Sequence, residues 1–143
     1  MWYVLTQTGE KSHVAQPTCQ KSEMTYKIDY TKIEGVVCPC GIARRGLYEV
    51  EEFPGTIHRT DINRAAKPHY HKRLTEVYYI VSCEPGTCMI LDGDRVELRE
   101  EMAVYIPPGT VHCLEGKAKV FIVVLPKFDP TDEFIVENES CPR

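Results

Sequence analysis

The chain has 143 residues, of which 43% are hydrophobic and 27% are charged, a composition typical of one globular domain. A chain of this length buries about two-thirds of the surface that its unfolded form exposes, so it needs no disulfide or metal merely to fold. The net charge of −4 disfavours binding to nucleic acid or to an anionic membrane, because both require clustered cationic side chains. We therefore expect a single domain over residues 1–143 whose partner is a small molecule.

The predicted elements are short β-strands separated by tight turns. Alternating or β-branched and aromatic stretches indicate the strands, and Asp92-Gly93 is typical of a two-residue hairpin turn. The one helical signal is a single turn near the C-terminus, with Asp129 as N-cap and Pro130 at the first position. In chain order we predict strands over residues 25–30, 47–53, 56–62, 76–82, 87–91, 95–98, 103–106 and 120–125, and a loop over 35–46. This pattern predicts an all-β sandwich, jelly roll or barrel with an N-terminal strand arm.

Two of the predicted strands are apolar on both faces. Residues 77–81 and 121–125 lack the alternation that a strand with one solvent-facing side shows. One face fills the interior of a barrel, and the other must also be covered. The N-terminal segment or a second subunit would supply that cover, and we favour a homodimer.

Seven cysteines raise the question of redox or metal chemistry, and an odd number cannot all pair within one chain. Cys83 and Cys88 flank a predicted hairpin turn that a disulfide could bridge, and Cys38-Pro39-Cys40 is either an inert pair, a redox pair or half a metal site. The N-terminal apolar stretch is too short for a signal peptide core, and no window is long enough for a membrane span. We therefore expect a cytoplasmic protein with mostly reduced thiols.

Three histidines and one glutamate form the constellation with the clearest chemical meaning. His69 and His71 lie two residues apart, so an extended strand presents both imidazoles on one face. Glu76 opens the next strand, and His112 follows a rigid Pro-Gly turn far downstream. This N/O ligand set suits a divalent transition metal (Mn, Fe, Co, Ni, Cu or Zn) and leaves coordination positions open. Cys113 points away from such a site by strand alternation.

The two histidine-bearing segments resemble the two sequence motifs of the cupin superfamily. The first motif is matched by His69, His71, Glu76 and the closing Gly86, and the second by Pro107, Gly109 and His112. By this resemblance, His69, His71, Glu76 and His112 are the metal ligands. The chain departs from the motifs where Asn63 and Glu101 replace their leading glycines, Gly116 replaces a final asparagine, and Gly86 comes three residues late.

The resemblance implies a cupin jelly-roll barrel with a core over about residues 45–125. The segments 67–71 and 128–130 are also similar to those of small single-domain bacterial cupins. Such proteins often carry a mannose-6-phosphate-isomerase-like label, which rests on fold similarity and does not establish a substrate.

A cupin fold does not determine a reaction, so three functions stay open. The metal would act as a Lewis acid in isomerisation, decarboxylation or hydrolysis of a sugar, sugar acid or keto acid; it would be Fe(II) in a dioxygenase; or the protein would bind a small ligand or metal without turnover. We favour the first. Tyr78 shares a strand face with Glu76 and is a candidate acid/base or hydrogen-bond donor. Candidates for an anion clamp are Arg44, Arg45, Lys72 and Arg73, and either His58 or Arg59 faces the interior.

Overall fold

The structure is a computed structural model that describes residues 26–63 and 66–136. Almost every regular element within them is a β-strand. Their bounds are β1 Val36–Cys38, β2 Gly41–Gly46, β3 Thr56–Ile62, β4 His69–Tyr70, β5 Thr75–Cys83, β6 Cys88–Leu91, β7 Asp94–Glu97, β8 Ala103–Ile106, β9 His112–Glu115, β10 Ala118–Leu125 and β11 Phe134–Ile135, with a 3-10 turn at Pro130–Asp132.

The strands form two antiparallel sheets. The larger has the order β1-β2-β3-β10-β5-β8, and the smaller has the order β11-β4-β9-β6-β7. Alternate residues of β3, β5 and β10 point between the sheets and are buried. They include Ile80 and Val120, and Met89 of β6 joins them in the core. The predicted all-β jelly roll is confirmed.

The hairpins in the C-terminal half match the prediction closely. The strands predicted over 56–62 and 103–106 have the predicted bounds, and those over 76–82, 87–91, 95–98 and 120–125 differ by at most two residues at an end. Asp92 and Gly93 form the predicted turn between β6 and β7, both with positive φ (48° and 91°), as a type I′ turn requires. Asp129 caps the turn that starts at Pro130 by accepting a hydrogen bond from Thr131 N.

The N-terminal predictions were wrong at three places. Residues 26–30 form no strand, and Thr25 lies outside the described residues. Tyr26 and Ile28 are exposed there, and none of the strands β1 to β11 pairs with this segment. Residues 47–53 form turns instead of a strand: Leu47 adopts a positive φ of 63°, and Lys127 Nζ donates to two carbonyls of this segment.

The predicted loop over 35–46 is instead the hairpin of β1 and β2. Cys38 pairs with Gly41, so Pro39 and Cys40 form its two-residue turn. A Cβ on Gly41 would collide with the carbonyl oxygen of Asp61 on β3, so the glycine allows β2 to approach β3. Glycine and proline, which predicted a loop, here make a tight turn and a close strand contact.

No helix within the described segments is long and apolar enough to cross a membrane.

Candidate metal centre

The four predicted ligands come together between the two sheets. His69 on β4 is the register partner of His112 on β9, and their ring centroids are 4.3 Å apart. His71 follows β4 directly, and Glu76 is the second residue of β5. All four side chains are buried, with exposed fractions between 2% and 7%. Four ionisable side chains at this depth require a compensating partner, because burying a charge alone is costly.

Each histidine is oriented by a hydrogen bond from Nδ1 to a backbone carbonyl oxygen. The acceptors are Lys67 O for His69 (2.9 Å), Asp132 O for His71 (2.8 Å) and Thr110 O for His112 (3.0 Å). A carbonyl oxygen only accepts, so Nδ1 carries the proton and Nε2 of the neutral ring keeps a free lone pair. This arrangement fixes the tautomer and the ring orientation that metal ligation by Nε2 needs.

The ligand atoms converge on one carboxylate oxygen. Glu76 Oε2 lies 3.0 Å from His112 Nε2 and 3.5 Å from His71 Nε2. Both Glu76 Oε2 and His112 Nε2 are buried without a hydrogen-bond partner, which is expensive unless something else occupies the space between them. One ligand atom from each of the four residues lies within 4.8 Å of the others. Adjacent ligands at about 2.1 Å from a metal lie roughly 3 Å apart, so this cluster could hold a metal ion.

The electrostatics of the cluster favour a negative Glu76 beside a neutral His69. Burial disfavours the charged form of Glu76, but its interactions with His112 and His71 outweigh burial and hold its pKa below the usual value. Burial lowers the pKa of His69 to about 4, and the neighbouring His112 adds to this effect. For His71 burial also acts against the charged form, but Glu76 more than offsets it and raises the pKa. The cluster therefore offers one anionic oxygen and, at His69, a nitrogen that stays unprotonated at neutral pH.

Two sets of hydrogen bonds to the backbone hold the segments that carry the candidate ligands in place. In the Pro107–Pro108–Gly109 turn, Gly109 has a φ of 86° and its N–H donates to His71 O at 2.7 Å. From the other side, the buried Asp132 carboxylate accepts hydrogen bonds from the backbone N–H groups of residues 72, 73 and 74. Burial opposes ionisation of Asp132, but these three N–H groups and Arg73 outweigh it and lower its pKa. The loop that joins His71 to Glu76 is thus fixed at both ends.

A cavity opens beside the cluster and contains the predicted Tyr78. This residue is 5% exposed, lines the cavity with Glu76, and has its ring centroid 6.3 Å from that of His112. Burial and the Glu76 charge raise its pKa well above the usual value, so the phenol keeps its proton. His58, not Arg59, faces this cavity, and Arg59 pairs with Asp61 on the outer face.

Of the four residues predicted as an anion clamp, the structure places one in the cavity. Arg45 lines it and stacks its guanidinium over the Phe128 ring at 4.2 Å. The other three are engaged elsewhere: Arg44 pairs with Asp61, Arg73 pairs with Asp129, and the Lys72 ammonium lies over Phe134. Of the four candidates, Arg45 is therefore the one that can meet an anion in the cavity.

Among the described residues, two cysteines line the cavity and three lie elsewhere. Cys113 is buried in a separate small cluster with Ala66, Cys88 and Ile90 and is disulfide-bonded, so it points away from the ligands as predicted, and the expectation of a reduced thiol fails there. Cys83 and Cys88 do not form the bridge considered above. Cys38 Sγ lies 3.1 Å from Cys40 Sγ at the cavity rim, well beyond a disulfide bond length of about 2.05 Å.

Three residues of the site were missed by the sequence reasoning. Thr60 and Glu133 line the cavity, and Asp132 orders the ligand loop. The inward alternation of β3, which places Thr60 with His58, was a usable signal. Asp132 and Glu133 reach the site because they directly precede β11, which pairs with β4. The sequence carries no local signal for this pairing.

Comparison with known proteins agrees with this fold. Residues 56–125 match the family model of the cupin domain. An uncharacterized protein of Methanocaldococcus jannaschii is 28% identical over 120 residues, which cover 78% of this chain and 94% of that protein. The crystal structure of a protein from Planctomyces limnophilus has a TM-score of 0.76 and 34% identity, covering 79% of this chain and 98% of that one. The chain belongs to the cupin superfamily.

More distant structures share the fold. The nucleoside dehydratase Pac13 of Streptomyces superimposes with a TM-score of 0.66 at 23% identity, covering 82% of this chain and 98% of that one. At this identity the likeness concerns the fold alone, because one fold hosts many reactions.

Proposed function

We propose that this protein is a metal-dependent cupin enzyme acting on a small, polar, oxygenated substrate. The observation that carries the proposal is the set of three imidazoles held by Nδ1, whose cluster with the buried Glu76 brings one potential ligand atom of each residue within 4.8 Å of the others. A divalent metal held by His69, His71, Glu76 and His112 would act as a Lewis acid on a carbonyl or hydroxyl oxygen of a sugar, sugar acid or keto acid. Isomerisation, decarboxylation and hydrolysis are the reactions that this chemistry serves.

The remaining cavity residues suit hydrogen bonding to a substrate and the exclusion of water. The raised pKa of Tyr78, which lies beside Glu76, keeps its phenol protonated, so its hydroxyl can donate a hydrogen bond to a substrate oxygen. Ile122 and Phe128 form the apolar part of the cavity wall, and an apolar wall strengthens each polar interaction made inside it. We assign Tyr78 as a hydrogen-bond donor to a substrate oxygen in the proposed reaction.

The first test is the metal itself. Elemental analysis of the purified protein should find about one divalent transition metal per chain, and His71→Ala should lose most of it because one of four ligands is gone. His58→Asn is the matched control, since His58 lies in the same cavity outside the ligand set. A wild-type protein without metal whose H71A variant behaves identically would exclude the proposal.

A second experiment separates the reaction classes. The protein is reconstituted anaerobically with Fe(II), and O2 uptake is followed with small acids, diols and thiols; the same compounds are then tested for turnover with Mn(II), Ni(II) or Zn(II) without O2. Turnover without O2 supports Lewis-acid chemistry, and substrate-dependent O2 uptake identifies the dioxygenase alternative. If no compound reacts but one raises the melting temperature, the protein is a non-catalytic binding module.

We further propose that the chain is one cupin domain over its whole length, that it pairs as a homodimer, and that it acts in the cytoplasm. The exposed aromatic side chains on the outer face of the larger sheet support the homodimer. The mannose-6-phosphate-isomerase-like label stays a hypothesis within the proposed class.

A further inference from the structure

Arg45 is a cationic side chain in the cavity that forms no salt bridge, although the charge of Glu133 in the same cavity acts on it. In the described part of the chain, the ion pairs of arginines involve Arg44, Arg59, Arg73 and Arg95, and none involves Arg45. Its Nε is buried and has no hydrogen-bond partner. A buried guanidinium N–H without a hydrogen-bond acceptor is costly. Binding of a ligand whose acceptor atom meets this N–H in the cavity would remove that cost.

A second buried polar atom faces the same space. Thr60 is 1% exposed, and its Oγ1 also has no hydrogen-bond partner. Inward alternation on β2 and β3 places Arg45 beside His58 and Ala43 beside Thr60, and all four line the cavity. Two unsatisfied polar groups on adjacent strands thus line one cavity, and each can donate a hydrogen bond to a ligand that enters it.

The strand register separates this pair from the candidate metal ligands. Arg45 on β2 is followed across the sheet by His58 on β3, Ile122 on β10 and Tyr78 on β5. Glu76 is two residues from Tyr78 on that last strand. A ligand that contacts both Arg45 on β2 and the cluster around Glu76 on β5 therefore spans the two strands between them, β3 and β10. Such a ligand needs one polar group at each of its ends.

We infer that Arg45 and Thr60 form a subsite for a carboxylate of the substrate, at the end of the cavity away from Glu76. A planar guanidinium binds a carboxylate with two parallel hydrogen bonds, and the Phe128 ring beneath it holds the guanidinium plane. One arginine balances one negative charge, which fits a carboxylate better than a phosphate dianion, and Glu133 in the same cavity further disfavours a second negative charge. The inference rests on the proposed function and narrows its substrate to an acid with a second oxygen function for the metal.

The test compares acids with their neutral amides. Succinate and glutarate, with succinamide and glutaramide as neutral partners, are titrated by calorimetry into wild-type, R45Q, R45K and R44Q proteins. R45Q should bind the acids about ten- to a hundredfold more weakly, because a charge-assisted hydrogen bond is lost, and the amides equally well. The affinity of R45K for the acids should lie between the affinities of R45Q and wild type. R44Q is the matched control, since Arg44 pairs with Asp61, and should bind the acids like wild type.

A second variant guards against a folding defect in R45Q. Thr60→Val keeps the shape of the side chain and removes the unpartnered hydroxyl, so it should weaken acid binding several-fold with unchanged circular dichroism. Equal acid affinity in wild type, R45Q and T60V would overturn the subsite. Tighter binding of glycerol phosphate than of either acid, with the same dependence on Arg45, would overturn the choice of a carboxylate.

Metal content measured on the same samples separates this inference from the proposed function. If the protein lacks metal but acid binding still depends on Arg45, the enzyme proposal fails and the subsite stands. If the protein holds metal and turns over a substrate while R45Q binds acids like wild type, the subsite fails and the enzyme proposal stands.

Discussion

Single side chains in this site are controlled mainly by burial and by the backbone groups that they meet. His58 and the three histidines of the cluster have the same imidazole side chain. In the three cluster histidines, however, Nδ1 donates a hydrogen bond to a backbone carbonyl oxygen beside the cluster. His58 instead has its Nε2 3.0 Å from Thr56 Oγ1 and packs edge-on against Phe128. The difference between a candidate ligand and a packed histidine is therefore set by the hydrogen bond of the second ring nitrogen.

His58 should make the stability of the protein depend on pH. Burial first and then the charge of Arg45 lower its pKa to about 4, although Glu76 acts in the opposite direction. An unfolded histidine has a pKa of about 6.5, so between these values the unfolded chain binds the proton more readily, and the free energy of unfolding falls as pH falls. Urea denaturation at several pH values in the presence of a chelator should show wild type losing roughly 3 kcal/mol more than His58→Asn between pH 6.5 and 4. His69 titrates in the same window in both proteins, so it cancels in the difference, and equal losses would contradict the prediction.

At the scale of elements, the turn Pro130–Asp132 both leads the chain into β11 and holds the loop that joins His71 to Glu76. Its Asp132 carboxylate accepts three backbone N–H groups of the ligand loop, and its carbonyl accepts from His71 Nδ1. Replacement of this carboxylate should therefore affect both stability and metal binding, although Asp132 is not in the ligand cluster.

Asp132→Ala should lower the free energy of unfolding of the metal-free protein by about 2–3 kcal/mol, because buried N–H groups lose a charged acceptor. Metal affinity should fall on the order of tenfold, since the loop that positions His71 loosens. Denaturant titration and a competitive metal titration measure the two effects. Asp129→Ala is the control: it removes an exposed cap and the pair with Arg73, and should cost under about 1 kcal/mol. Similar losses in the two variants would show that Asp132 has no special role.

The elements also show what the sequence could and could not predict. Strands such as β3 and β8 were predictable because their alternation matches one buried face and their ends carry turn residues. The hairpin of β1 and β2 was not, because Gly41 is required by contact with β3 rather than by a local turn. Glu101 shows the converse: it stands where the cupin motif has glycine and still adopts a φ of 66°, so the turn survives the substitution. The four residues of the candidate metal cluster were predictable from their spacing, whereas Thr60, Asp132 and Glu133 depend on tertiary contacts.

For the whole molecule, the apolar side chains exposed on the outer face of the larger sheet are the reason to expect a homodimer. Tyr79 on β5 and Tyr105 on β8 are 44% and 64% exposed, and Val81 is 38% exposed. Tyr79 is the register partner of Phe121, which Tyr30 covers edge-on at 5.3 Å. The segment before β1 thus covers the β10 side of this face, and the apolar surface that stays exposed is centred on β5 and β8, at the sheet edge. Contiguous apolar surface of this kind is typical of a contact between subunits.

Light scattering of the purified protein should therefore give about twice the chain mass of 16.4 kDa, as expected for a homodimer. Tyr105→Glu places a charge in the middle of the exposed patch and should shift the protein to monomer, because an unpaired charge is unfavourable in an apolar interface. Tyr48→Glu is the control, since Tyr48 is similarly exposed but lies in the turn before β3, and should leave the mass unchanged. A monomeric wild type would instead favour the N-terminal segment as the cover of this face. Loss of the dimer in both variants would mean that the interface extends beyond the patch on β5 and β8.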